Sequence, residues 1–89
     1  MIENVYRLQL MNTSESAHRY TIGVAGLPGL KLEHPFIIDV PGASSQSVAV
    51  DVHAPPNSGK KGSNRIYFDV HALDQERVAV HEQASFFLP

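Results

Sequence analysis

The feature that most constrains this sequence is a two-residue alternation of apolar and polar side chains, repeated along nearly its whole length. Successive side chains of an extended strand point to opposite faces, so each such stretch buries one face and solvates the other. From Asn4 to Met11 one face carries Tyr6, Leu8 and Leu10, and the other carries Arg7, Gln9 and Met11. From His18 to Ala25 the apolar face is Tyr20, Ile22 and Val24; from Gln46 to His53 it is Val48, Val50 and Val52. Asn64 to Ala72 alternates through Ile66, Phe68, Val70 and Ala72. Shorter strands are expected at Leu30–Leu32 and Phe36–Val40, and a last one over Arg77–Leu88. No stretch repeats apolar residues at i, i+3, i+4 and i+7, so helix is not expected.

Turn residues separate these stretches. Asn12-Thr13-Ser14-Glu15-Ser16 is polar, Gly26-Leu27-Pro28-Gly29 breaks the chain sharply, and Ala54–Ser63 is a loop rich in Pro, Gly, Ser and Lys. Pro41-Gly42 has the order of a type II turn, with the positive φ expected at Gly42. Seven short strands with turns between them predict an all-β, immunoglobulin-like antiparallel sandwich of the fibronectin-III type. The Cys…Trp…Cys signature of antibody domains is absent, because the chain holds neither residue.

Eighty-nine residues suffice for one domain, residues 1–89, with a modest stability margin. The net charge of −2 and only seven Lys plus Arg give no electrostatic footprint for nucleic acid. Without Cys there are no disulfides, thiolate nucleophiles or cysteine-bound clusters within this sequence. Its apolar runs are too short for a membrane-spanning helix, and Met1-Ile2-Glu3-Asn4 lacks the basic and apolar regions of a signal peptide.

Register can be argued for the final hairpin. A three-residue loop at Asp74-Gln75-Glu76 opposes Leu73 to Arg77, Ala72 to Val78 and Val70 to Val80, which places both apolar sets on one face. The one misfit, Phe68 against Glu82, predicts a bulge near Glu82 or a slide toward the strand end. On the outer face this register sets Asp69 against His81 with His71 beside Ala79. Asp69, His71 and His81 are therefore the candidate metal ligands, against the plainer reading of a solvated polar face. The remaining histidines, His18, His34 and His53, read as surface residues.

Known catalytic motifs fail. His81-Glu82-Gln83-Ala84-Ser85 has Ser85 where a zincin needs its second His, and it lies on a strand instead of a helix. Gly59-Lys60 lacks the first Gly and the Ser or Thr of a phosphate loop, and no nucleophile elbow surrounds Ser44 or Ser45. Asn12-Thr13-Ser14 matches a glycosylation sequon, although a plain turn explains it. Asp39 and Asp51 read as solubilising charges. Interaction candidates are Lys60 and Lys61 at a loop tip, and Phe86, Phe87 and Leu88, since adjacent Phe residues in a strand cannot both face the core.

Four segments carry a family resemblance: Ile2-Glu3-Asn4-Val5-Tyr6-Arg7-Leu8 through Met11-Asn12; His18-Arg19-Tyr20 through Gly26-Leu27-Pro28-Gly29-Leu30; Val40-Pro41-Gly42; and Glu82 through Ser85-Phe86-Phe87-Leu88-Pro89. In that order they resemble the C-terminal domain of the FixG family, also called CcoG or RdxA. These are membrane-bound iron–sulfur accessory proteins of cbb-type cytochrome c oxidase assembly. The resemblance implies that the sequence is the C-terminal part of a longer membrane protein, following membrane helices and a region with cysteine-bound [4Fe–4S] clusters. It implies no cofactor in this domain, whose lack of Cys bars it from holding such a cluster.

The expected role is a non-enzymatic interaction or scaffolding domain on the periplasmic side of the bacterial inner membrane, beside the bilayer but not inserted. Its expected partners are oxidase assembly components or the rest of its own chain. The alternatives are a weak copper-binding module using Asp69, His71 and His81, and an unrelated adhesion or chaperone-like β-sandwich.

Overall fold

In a computed structural model, which describes residues 1–33, 37–73 and 78–89 and side chains in all of these but 78–80, the alternating stretches form seven strands. They are β1 (Ile2–Asn12), β2 (His18–Ala25), β3 (Lys31–Leu32), β4 (Ile37–Val40), β5 (Ser44–Ala54), β6 (Gly62–Ala72) and β7 (Val78–Leu88). No helix occurs among the described residues. The strands make two antiparallel sheets, a three-stranded one ordered β1-β5-β3 and a four-stranded one ordered β4-β2-β6-β7. This is the expected sandwich, elongated to 44 × 22 × 20 Å.

The inner faces are the apolar stripes read from the sequence. Val40, Val50, Val52, Ile66, Phe68, Phe86 and Leu88 are fully enclosed, and Leu10, Tyr20, Ile22, Ile38 and Val70 complete the core. Each large aliphatic or aromatic side chain buried here contributes about 1.5–3 kcal/mol of transfer free energy. Among the described residues β6 and β7 are the one pair of sequence neighbours that share a ladder; every other pairing joins strands separated in the chain.

β1 runs diagonally across the four-stranded sheet. Near its start the Asn4 side chain exchanges two hydrogen bonds with the backbone of Phe87 on β7, donating from Nδ2 (3.2 Å) and accepting at Oδ1 (3.1 Å). Next, Tyr6 donates to the Ser85 carbonyl (2.7 Å) and packs edge-on against Phe68 of β6 at 5.0 Å. At the far end Asn12 Nδ2 donates to the carbonyls of Ser16, Val40 and Pro41, the second of these on β4. An asparagine at each end thus ties β1 to opposite edges of the other sheet.

Three expectations need correction. The type II turn forms at Leu27-Pro28-Gly29-Leu30, where Leu30 N–H donates to Leu27 O at 3.2 Å and Gly29 has φ 76°. At Pro41-Gly42 the positive φ, 51°, falls on Ala43. Gly42 is needed for space: a Cβ there would lie 2.0 Å from the Glu15 carbonyl oxygen. In the last hairpin Val70 opposes Val80 and Phe68 opposes Glu82 as expected, but the irregularity lies between Val70 and His71, not near Glu82. His71 therefore opposes Val78 instead of standing beside Ala79. The ladder absorbs Phe68 against Glu82 without slipping because β7 is an edge strand, where an inward carboxylate still reaches water; Glu82 is exposed. The three-residue loop at 74–76 lies outside the described residues, as do His34 and Phe36.

Candidate functional site

One end of the sandwich brings the loop-tip lysines and the end of β7 beside the start of β1. Ile2 pairs with Ala54 at one rim of the first sheet, and Gly62 pairs with Leu88 at the rim of the second. The Asn4–Phe87 bonds join these rims, so the start of β1, the connection 55–61 and the end of β7 share one end.

The connection is held in shape from below. Asn64, buried on β6, accepts from Lys60 N–H (3.1 Å) and donates to the carbonyls of Lys60 (2.8 Å) and Gly62 (3.2 Å). Lys60 and Lys61 stay exposed, and Lys60 and Arg65 line a shallow hollow with Ser63 and Ser85. The two loop-tip cations therefore ride on an ordered turn.

The terminal aromatic pair is divided by strand parity. Phe86 and Leu88 point inward and are enclosed, whereas Phe87 points outward and is 57% exposed. As contact candidates Phe86 and Leu88 are thus corrected to core residues, and Phe87 alone is available to a partner.

Of the three candidate metal ligands, two meet. His81 Nδ1 lies against Asp69 Oδ1, and the His81 ring stacks on Tyr67 at 5.4 Å. His71 adds no ligand atom to form a convergent trio among the described residues; the irregularity between Val70 and His71 changes its partner on β7. His18 packs edge-on to Tyr20 at 6.4 Å with Nε2 3.2 Å from Ser14 Oγ. Sequence reading missed His53, which is only partly accessible and sits between Glu3 and Glu33. It also missed Asn12, which the sequon resemblance masked: the side chain is 3% exposed and its amide is consumed by three carbonyls. Asp39 pairs with Arg19 at 2.9 Å, as a solvated surface charge does.

Tyr6, half-buried between the sheets, has its phenol pushed above the ordinary value of 10.0 by desolvation. A partly open cleft beside it is lined by Arg7, Leu8, Leu10, Phe68, Val70 and Glu82, which mixes charge with core edges.

Comparison with known proteins bears on the whole chain. The profile of a family described as "IG-like fold at C-terminal of FixG, putative oxidoreductase" matches residues 1–89. The chain belongs to this FixG C-terminal family. A solved structure titled "Crystal structure of FixG-related protein from Vibrio parahaemolyticus" superposes with a TM-score of 0.85 at 20% identity. The match covers 98% of this chain and 79% of that one. It shows that the two share a fold. No curated protein matches the sequence. The iron–sulfur clusters that the FixG resemblance implies require cysteine ligands, and this sequence has none; no step of any cluster chemistry can be assigned to its residues. No helix among the described residues is long and apolar enough to cross a membrane.

Proposed function

We propose that this FixG-family domain is a non-enzymatic interaction platform, held on the periplasmic side of the bacterial inner membrane by the membrane-anchored protein it belongs to, and serving assembly of a cbb-type cytochrome c oxidase. The observation that carries this reading is the shared end of the sandwich. There the start of β1 lies beside the ordered Lys60–Lys61 turn and the outward Phe87, so an anchor entering through β1 would hold both against a neighbouring surface. A rigid β-sandwich with exposed cations and one exposed aromatic at its end suits docking to protein.

The test is site-specific photocrosslinking in the full-length protein in membranes, with the probe at position 60 or 87 and a control at Gln9, an exposed residue of β1. Adducts to an oxidase assembly component or to the protein's own membrane part are expected at 60 and 87 and not at 9. Equal labelling at all three positions would overturn the reading, as would normal oxidase assembly after deletion of the domain.

A second reading, copper handling by Asp69, His71 and His81, is favoured only by the Asp69–His81 contact. Calorimetric titration of His71→Ala and His81→Ala with copper tests it: both substitutions must weaken binding, and unchanged binding in either would dismiss that trio.

A further inference from the structure

We propose that Glu3, Glu33 and His53 form a binding site for one divalent transition-metal ion of the zinc class on the outer face of the three-stranded sheet. The proposal is independent of the interaction reading, which uses the Lys60–Lys61 turn and Phe87.

The three residues are far apart in sequence and are brought together by strand pairing. Glu3 on β1 directly opposes His53 on β5. On the other side of β5, β3 pairs in register with Lys31 opposite His53. Glu33 follows β3 and is fixed by its backbone N–H, which donates to the Asp51 carbonyl at 2.9 Å. Each ligand is therefore carried by backbone paired within one sheet, the kind of support that holds donors in place without a bound ion.

The donor atoms converge. His53 Nε2 lies 3.1 Å from Glu3 Oε2 and 2.5 Å from Glu33 Oε2, and all three ligand atoms fall within 4.8 Å of one another. A ring nitrogen offers at most one hydrogen, which it can aim well at one oxygen only. Two carboxylates drawn to the same nitrogen also repel each other. A cation held between the three atoms satisfies both oxygens and the nitrogen lone pair together. Bond lengths of about 2.0–2.2 Å at tetrahedral angles set donors about 3.4 Å apart; the His53–Glu3 pair at 3.1 Å is near this, and the His53–Glu33 pair at 2.5 Å would widen on binding.

The chemistry of the donors selects the ion. One imidazole and two carboxylates are the borderline-to-hard set that zinc-class ions accept in sites with an open fourth position. Imidazole argues against magnesium or calcium, which take oxygen ligands, and the absence of any sulfur ligand in the trio argues against copper(I). His53 is the least accessible of the three, with 21% of its side chain exposed against 37% for Glu33 and 47% for Glu3, so it forms the floor while the carboxylates form the rim. Lys31, the nearest cation in register, makes no ion pair with either carboxylate among the described residues, and its flexible stem lets the charge move to solvent.

The test is calorimetric titration of the 89-residue chain with ZnCl2 in a non-chelating buffer, alongside NMR of the histidine rings. Saturable one-to-one binding is expected, with the largest ring shift at His53 and no comparable binding of MgCl2. His53→Ala should raise Kd about tenfold or more, the scale on which even supporting residues of a metal site act. The isosteric Glu3→Gln plus Glu33→Gln variant should do the same while leaving the thermal melt unchanged, and His81→Ala should bind as the parent does. The site is overturned if no saturable zinc binding occurs, if the carboxylate variant binds like the parent, or if His81→Ala removes the binding.

Discussion

Asn12 shows how much a single buried polar residue can decide in a sheet protein. Its Nδ2 donates to carbonyls in the following turn and on β4, and its Oδ1 accepts the Ser14 N–H at 3.0 Å. Asn12→Ala removes all of these bonds; the Pro41 carbonyl keeps the Ser44 hydroxyl, whereas the buried Val40 carbonyl loses its side-chain donor, at about 1–3 kcal/mol for each group that water cannot reach. The expected loss is at least about 2 kcal/mol in chemical denaturation. Tyr6 supplies a pH signature. Its folded phenol titrates above the unfolded one, so its contribution is complete below about pH 10 and is lost as pH rises through the folded value. Tyr6→Phe should remove that part of the alkaline destabilisation and cost about 0.5–1.5 kcal/mol at neutral pH through the lost bond to Ser85. Denaturation midpoints measured from pH 7 to 11 check both effects. Neither role was legible in the sequence. Asn12 meets the Val40 carbonyl 28 positions away, and local polarity says only that a turn begins there.

At the scale of the strands, alternation served well because burial follows side-chain parity: β6 reads inward at Asn64, Ile66, Phe68, Val70 and Ala72 and outward at Arg65, all as the pattern requires. It was less informative where the backbone departs from regularity. Pro-Gly occurs twice, and only at Pro28-Gly29 does the glycine take the positive φ; at Gly42 contact with the Glu15 carbonyl, invisible locally, explains the residue. β7 carries Glu82 on its inward face opposite Phe68 while forming the edge of its sheet. An inward charge on an edge strand discourages pairing with another molecule at some expense in stability. Glu82→Val should therefore stabilise the domain by about 1 kcal/mol, raising Tm by about 4–8 °C for a domain of this size. It should also introduce concentration-dependent association, read by sedimentation. A variant that is neither stabilised nor more prone to associate would show that Glu82 has no such role.

For the molecule as a whole, the sandwich was legible but the order of strands was not. Alternation says which face of a strand is buried and nothing about its neighbour, so the meeting of Glu3, Glu33 and His53 across β1, β5 and the end of β3 was out of reach. The Phe86–Phe87 pair tests the final arrangement. Phe86→Ala should cost about 3–5 kcal/mol, a large share of the stability of a small domain, while Phe87→Ala should stay within about 0.5 kcal/mol. Thermal melts of the two variants separate them directly. The pair of hydrogen bonds between the Asn4 side chain and the Phe87 backbone also bears on how the domain is made. Within the domain β1 leaves the ribosome before the other strands, yet its clamp and two enclosed side chains, Phe86 and Leu88, lie on β7 and follow all of them. The apolar stripes of the domain must wait uncovered until β7 has emerged. Closure then joins positions 83 apart in sequence, a non-local step that places folding in the slow, millisecond-to-second regime of all-β proteins.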